Sequence, residues 1–198
     1  MKSKNFIIFS SVDWNVNWQL HHELVSSIIE SGSRVLFVEN TGSRNIKFSD
    51  ISRVYDRLKN WLFSKKGYRV IDDKLLIYSP LILPYPYNFF SIKLNKYIIK
   101  KSISNWIKNS NYNQVSLISF LPTPLINELF KEINSIYSIY YCADEMFSGD
   151  KKKEENINLE KKFINNVDSV FCTSHKLLEK CKLYNSNTYL IPSGVNFT

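Results

Sequence analysis

Apolar residues in this chain fall into short continuous runs, alternating with longer stretches in which they recur at helical spacing. Phe6–Phe9 and Arg34–Val38 are runs of the first kind and read as strands covered on both faces. Between them, Trp18–Ser31 places Leu20, Leu24, Ser27, Ile28 and Ser31 on one helical face, with Gly32 as its stop. A strand, a helix and a second strand within about forty residues imply a right-handed crossover and a parallel pair. Further strands are expected at Leu75–Tyr78, Val115–Phe120, Ser138–Cys142, Ser169–Cys172 and Tyr189–Ile191. Helices are expected at Arg53–Phe63, Phe89–Lys108, Leu125–Ile133 and Lys152–Asn166, and a last one opens from an N-cap at Ser174. For Phe89–Lys108 the apolar face is read as Ile92, Leu94, Ile98, Ile99, Ile103 and Ile107. The segment between Ile46 and Asp73 is less regular, and Lys65-Lys66-Gly67 breaks it. The alternation gives an α/β fold, a doubly wound and mainly parallel sheet in one domain spanning 1–198.

Composition narrows the class. At 44% hydrophobic and 15% aromatic residues the chain has ample material for a two-sided core, which excludes a disordered segment. No apolar run approaches the roughly 18–20 residues of a membrane span. Phe6–Phe9 is too short for a signal-peptide core, so a cytoplasmic protein is expected. Cys142, Cys172 and Cys181 lack metal-ligand spacing and read as buried thiols. The net charge of +8 is compatible with a solvated basic surface or with an anionic membrane surface as partner, nucleic acid being the weaker reading. Arg57–Arg69 concentrates the membrane reading, because five cations there flank Trp61, Leu62, Phe63 and Tyr68.

In an open parallel sheet, ligands bind beyond the carboxyl ends of the strands, so the loops there are the places to look. The first loop, 10–18, has no G-x-G-x-x-G, and a dinucleotide site needs those glycines for close approach of backbone amides to pyrophosphate. It offers Trp14, Asn15 and Trp18 instead, followed by His21 and His22. Flat aromatics beside amides suit sugar rings, though a hydrophobic lid or core role fits the same tryptophans. The two histidines are adjacent, so on a helix they diverge by about 100° and do not share a metal. Asp144 and Glu145 follow the fifth predicted strand. A carboxylate there suits an acceptor hydroxyl, as base or as orienting group, and equally a turn cap.

The last thirty residues carry a more specific signal. Asn166–Asn196 resembles the pattern "aD-x-v-f-x-t-S-x-x-L … i-p-x-G-V-D" that closes the first Rossmann-like domain of GT-B glycosyltransferases, especially the retaining family 4. The match lies at Asp168, Ser174, Leu177, Pro192, Gly194 and Val195, with Asn196 where that family usually has Asp. Trp14, Gln19, His22, Leu24, Gly32, Val35, Leu36, Val38 and Glu39 resemble the "W … Q-H-L-A-x-x-L-A-x-x-G-x-x-V-L-y-V-e" of envelope-polysaccharide members. Asp144-Glu145 is similar to their "Y-x-x-x-D-D/E".

The resemblance implies the N-terminal, acceptor-side half of a GT-B fold, with a donor-binding domain after residue 198. Its partners would be a nucleotide-sugar donor and a glycan or lipid-linked acceptor, with neither metal nor other cofactor. Asp144 and Glu145 would be catalytic, while Trp14, Asn15, Trp18, His21, His22, Ser174 and Gly194 would bind substrate. A retaining reaction would make Asp144 an orienting group; an inverting one would make it the general base. The competing reading is a non-enzymatic α/β module that docks on anionic surfaces. An acetyl- or phospho-transfer enzyme on a similar fold is a weaker third.

Overall fold

The structure, a computed structural model, describes residues 5–39, 41, 67–83, 85, 87–109, 114–145 and 153–192. Thirteen elements lie within them. They run β1 (Asn5–Phe9), α1 (Leu20–Glu30), β2 (Arg34–Val38), β3 (Tyr68–Val70), β4 (Leu75–Tyr78), α2 (Phe89–Lys108), β5 (Val115–Ser119), α3 (Pro124–Glu132), β6 (Tyr137–Cys142), α4 (Lys153–Asn166), β7 (Ser169–Cys172), α5 (His175–Lys182) and β8 (Thr188–Leu190). The expected helix at Arg53–Phe63, the close of the fifth-strand loop and Gly194 lie outside the described residues.

The strands form one sheet in the order β3-β4-β2-β1-β5-β6-β7-β8, parallel throughout except for β3 against β4. Alternate residues of each strand face opposite layers. Ile7, Phe9, Leu36, Leu117, Tyr140 and Val170 meet buried residues of α2, α3, α4 and α5. Ile8, Val35, Phe37, Ile77 and Ile118 meet Val25 of α1, with Leu20, Leu24 and Ile28 packed around it. This is the doubly wound, Rossmann-like architecture expected from the alternation of runs.

Two differences from the expectations have local causes. The short strand β3 is new: Tyr68, Arg69 and Val70 pair antiparallel with Tyr78, Ile77 and Leu76. The turn between them is set by Asp72, whose carboxylate accepts from the backbone N–H groups of Lys74 and Leu75 at 2.7 Å each. In α2, the buried face is Ser91, Asn95, Ile99, Ile103 and Trp106, and Leu94 points outward. Asn95 takes a core-facing position because it clamps the preceding loop. Its Oδ1 accepts from Leu83 N–H at 2.8 Å, and its amide donates to Leu83 C=O at 2.9 Å.

Candidate functional site at the carboxyl rim of the sheet

From β1 the chain winds first through β2 and β4, then returns to the other side of β1 as β5. The strand order therefore reverses between β1 and β5, and it is beyond the carboxyl ends at such a reversal that open α/β sheets bind ligands. The loop after β1 stands at that reversal. Its shape is fixed by Glu39, at the end of β2. This buried carboxylate accepts from the Trp14 backbone N–H at 2.6 Å, from the Arg69 guanidinium at 2.7 Å and from the Ser79 hydroxyl. Three separate segments are thus held by one side chain. Arg69, expected among the membrane-facing cations of 57–69, is engaged in this ion pair instead. Tyr68 stacks on Tyr78, ring centroids 4.6 Å apart. The rest of that basic segment, 57–66, lies outside the described residues.

Trp14 and His22 belong to the packing of the loop. Trp14 meets Phe37 edge-on, with centroids 5.1 Å apart, and His22 at 4.7 Å. His22 is buried. Its Nδ1 accepts from the Gln19 N–H at 3.0 Å, closing the first turn of α1, so its Nε2 carries the proton and donates to the Trp14 carbonyl at 3.0 Å. Both ring nitrogens are occupied, and the helix begins at Leu20 because Gln19 is held in this cap. Trp18 stacks on the outer side of His22, at 5.0 Å and 26°, and its indole N–H donates to Glu23. It stays 60% exposed, an indole face held open to the rim. Asn15 is exposed beside it.

His21 points the other way, toward β5. Its ring lies 3.8 Å from the Phe120 ring, centroid to centroid, and its Nε2 sits 3.0 Å from the Ser11 hydroxyl. The other nitrogen, Nδ1, is buried and has no hydrogen-bond partner among the described residues. Burial first, then the neighbouring His22, lowers the His21 pKa to about 4 from the usual 6.5. The imidazole is therefore neutral at physiological pH, one nitrogen paired with Ser11 and the other unfilled. From His21 a line of rings crosses the sheet: Phe120 to Tyr141 at 4.9 Å, Tyr141 to Phe171 at 5.9 Å, and Phe171 to Tyr189 at 6.2 Å. Phe120, Tyr141 and Glu39 are not site candidates on the sequence alone. Their shared signal is a large or charged residue within one position of the carboxyl end of a strand.

The second set of expected residues stands two strands along the rim from β1, about 10 Å at the usual inter-strand spacing. Asp144 and Glu145 follow β6 and are exposed. Their turn is tied to the next loop: Thr173 Oγ1 donates to the Ala143 carbonyl at 2.7 Å, and Lys176 Nζ lies 3.0 Å from Glu145. Ser174 caps α5 by accepting from Leu177 N–H at 3.4 Å, leaving it exposed at the same edge. Asp168, a matched position of the GT-B pattern, is structural. Its carboxylate accepts from both the backbone N–H and the hydroxyl of Ser138, at 2.7 and 2.6 Å, joining the starts of β6 and β7. A depression of about 460 Å³ lined by Asp168, Asn185 and Asn187 lies at this amino end, opposite the rim. Its polar groups are engaged in holding the turns together. No group of His, Cys, Asp and Glu among the described residues could hold a metal ion.

No protein-family model matches the sequence, and no curated protein matches it. Among solved structures, a sucrose-phosphate synthase from Thermosynechococcus elongatus is similar at a TM-score of 0.55 and 15% identity, over 98% of this chain and 49% of that one. The chain thus spans about half the length of that relative. At such low identity the likeness shows the fold alone: a GT-B-like, Rossmann-like α/β unit.

Proposed function

We propose that this chain is the acceptor-side half of a GT-B glycosyltransferase resembling family 4. Such an enzyme would move a sugar from a nucleotide-sugar to a glycan or lipid-linked acceptor in cell-envelope polysaccharide synthesis, on the cytoplasmic side of the membrane. The observation that carries the proposal is the set of side chains gathered at the β1/β5 reversal. They are an open indole face, a neutral buried histidine and a nearby carboxylate, on a fold similar to half of a sucrose-phosphate synthase. The donor-binding half would follow residue 198.

In this reading Trp18 stacks on a sugar ring and Asn15 binds its hydroxyls, while Trp14 and His22 keep that platform in place. His21 Nδ1 supplies a desolvated polar atom that a substrate hydroxyl would fill. The acceptor oxygen attacks the anomeric carbon as the bond from that carbon to the donor phosphate breaks. In an inverting reaction the acceptor proton passes to the Asp144 carboxylate. In a retaining one it passes to the departing phosphate, and Asp144 orients the hydroxyl. Glu145, held by Lys176, fixes the turn beside it, and Ser174 at the same edge would bind substrate together with Gly194.

The test uses the full gene product with a panel of nucleotide-sugars and envelope lipid extract. Asp144→Asn should lower kcat by about 10²-fold or more. Unfolding free energy should stay within about 0.5 kcal/mol, since the side chain is exposed. Unchanged turnover would reduce Asp144 to a turn residue. Failure to transfer from any nucleotide-sugar would overturn the proposal.

A further inference from the structure

An aromatic patch breaks the rule that the outer face of a surface helix is polar. Along α2 the exposed stripe is Phe90, Leu94, Tyr97 and Lys101, spaced by four, three and four residues and so on one face. Phe89 and Phe90 are 71% and 77% exposed, with rings in edge contact at 5.9 Å. The segment leading into the helix adds to the patch. Ile82 is turned to the core, and Leu83 and Tyr85 are turned out. Hydrogen bonds brace these positions: Asn95 clamps Leu83 by two of them, Asn88 caps the helix, and Asn88 N–H donates to the Tyr85 carbonyl at 3.2 Å. Single exposed apolar residues are ordinary, but a contiguous, braced set marks a surface that meets something.

Charge identifies what it meets. The twenty residues of α2 include five lysines and no acidic side chain. Lys96 and Lys100 are engaged by Glu128 and Glu132. Lys93, Lys101 and Lys108 have no acidic partner among the described residues, and Lys101 lies 5.9 Å from the centre of the Tyr97 ring. Aromatic rings flanked by cations not engaged by carboxylates among the described residues are the chemistry of the headgroup zone of an anionic bilayer: the rings enter the acyl boundary and the ammonium groups reach lipid phosphates. The chain as a whole carries +8. No helix among the described residues is long and apolar enough to cross a membrane, so this attachment is peripheral.

We infer that the outer face of α2, together with Leu83, Tyr85 and Phe89, docks the protein on an anionic lipid surface. The start of α2 follows the carboxyl end of β4, so docking there brings the carboxyl side of the sheet close to the bilayer through the first turn of the helix. Resting on the glycosyltransferase reading, this makes the acceptor lipid-linked, reached without leaving the membrane.

Co-sedimentation of the full gene product with vesicles tests the inference, using pure phosphatidylcholine and phosphatidylcholine mixed with phosphatidylglycerol. Binding should require phosphatidylglycerol and weaken as salt shortens the Debye length. The Phe89→Ser/Phe90→Ser pair should weaken it roughly tenfold or more, and Lys93→Glu/Lys101→Glu by a similar factor. All four side chains are exposed, so unchanged circular dichroism is expected of both variants. Equal sedimentation with neutral and anionic vesicles, none with either, or binding that survives the phenylalanine pair would overturn the inference. So would a dimer in size-exclusion chromatography that this pair dissociates, because a second copy would then own the surface. Sugar transfer to a water-soluble acceptor should persist in the phenylalanine variant. Vesicle binding without any transfer activity would sink the glycosyltransferase reading and leave the docking surface standing.

Discussion

His21 gives the most quantitative handle on the site at the β1/β5 reversal. Its pKa of about 4 in the folded chain, against 6.5 for a free imidazole, means the unfolded chain binds a proton that the folded chain refuses over that interval. Stability from this group is therefore complete above pH 6.5 and is lost as pH falls toward 4. Between pH 7 and pH 5 the linkage amounts to about 2 kcal/mol, and to about 3 kcal/mol by pH 4. Glu128 and Glu132, whose pKa values are lowered chiefly by hydrogen bonds from Lys131 and Lys100, begin to lose their contribution as pH falls through the ordinary carboxylate range, and comparison with His21→Gln removes that common loss. The assay is urea denaturation followed by tryptophan fluorescence at the two pH values, on the parent chain and on His21→Gln. The parent should lose about 2 kcal/mol more than the variant on going from pH 7 to pH 5. An identical loss in both proteins would mean that the imidazole protonates freely in the fold, and the picture of a dry, unfilled Nδ1 would fall with it.

Two further outcomes probe the scaffold. Glu160, buried on α4, accepts from Tyr140 at 3.0 Å and from Lys180 at 2.7 Å, so Glu160→Leu strands an ammonium group that is itself only partly solvated. Chemical denaturation should show a loss of about 2–4 kcal/mol, recovered in part by adding Lys180→Met; a single-variant loss under about 0.5 kcal/mol would refute the network's importance. Gly32 ends α1 at φ +87° with open space where a Cβ would stand, so Gly32→Ala meets backbone strain and no clash. It should cost about 1 kcal/mol, read as a lowered Tm, and an unchanged Tm would show that the turn rearranges freely.

The sheet was legible because its strands are continuous apolar runs and its helices keep one apolar face. β3 was not, since Tyr68-Arg69-Val70 is too short to show a period and is made a strand by the Asp72 turn and its partner β4. The outer face of α2 was misread for a related reason. Leu94 fits the apolar period, but Asn95 is drawn inward by the Leu83 backbone, a partner twelve residues away that no helical period encodes. At the site, the divergence of His21 from His22 was legible, because adjacent helical residues point about 100° apart. The sequence could not show that His22 has both nitrogens occupied while His21 has one empty, because that depends on Gln19, Trp14 and Ser11 in three dimensions. Glu39 stood in the matched pattern without a role until Arg69 and Ser79 were seen to converge on it.

That convergence bears on the order in which the molecule assembles. Glu39 reaches partners 25, 30 and 40 residues away in the chain, on the first loop, on β3 and just past β4. Contacts of such separation repay their loop-closure entropy only after the intervening chain has been brought to the sheet. Trp14 has the shortest span of the three and needs only β1, α1 and β2, so loop length alone lets the first loop tie to Glu39 before Arg69 and Ser79 arrive from the β3–β4 edge. In the native state, when the edge hairpin frays Glu39 loses two of its three partners, and the carboxylate that anchors Trp14 is itself less firmly held. A ligand that tightens the platform must by the same linkage protect the far edge of the sheet from exchange with solvent.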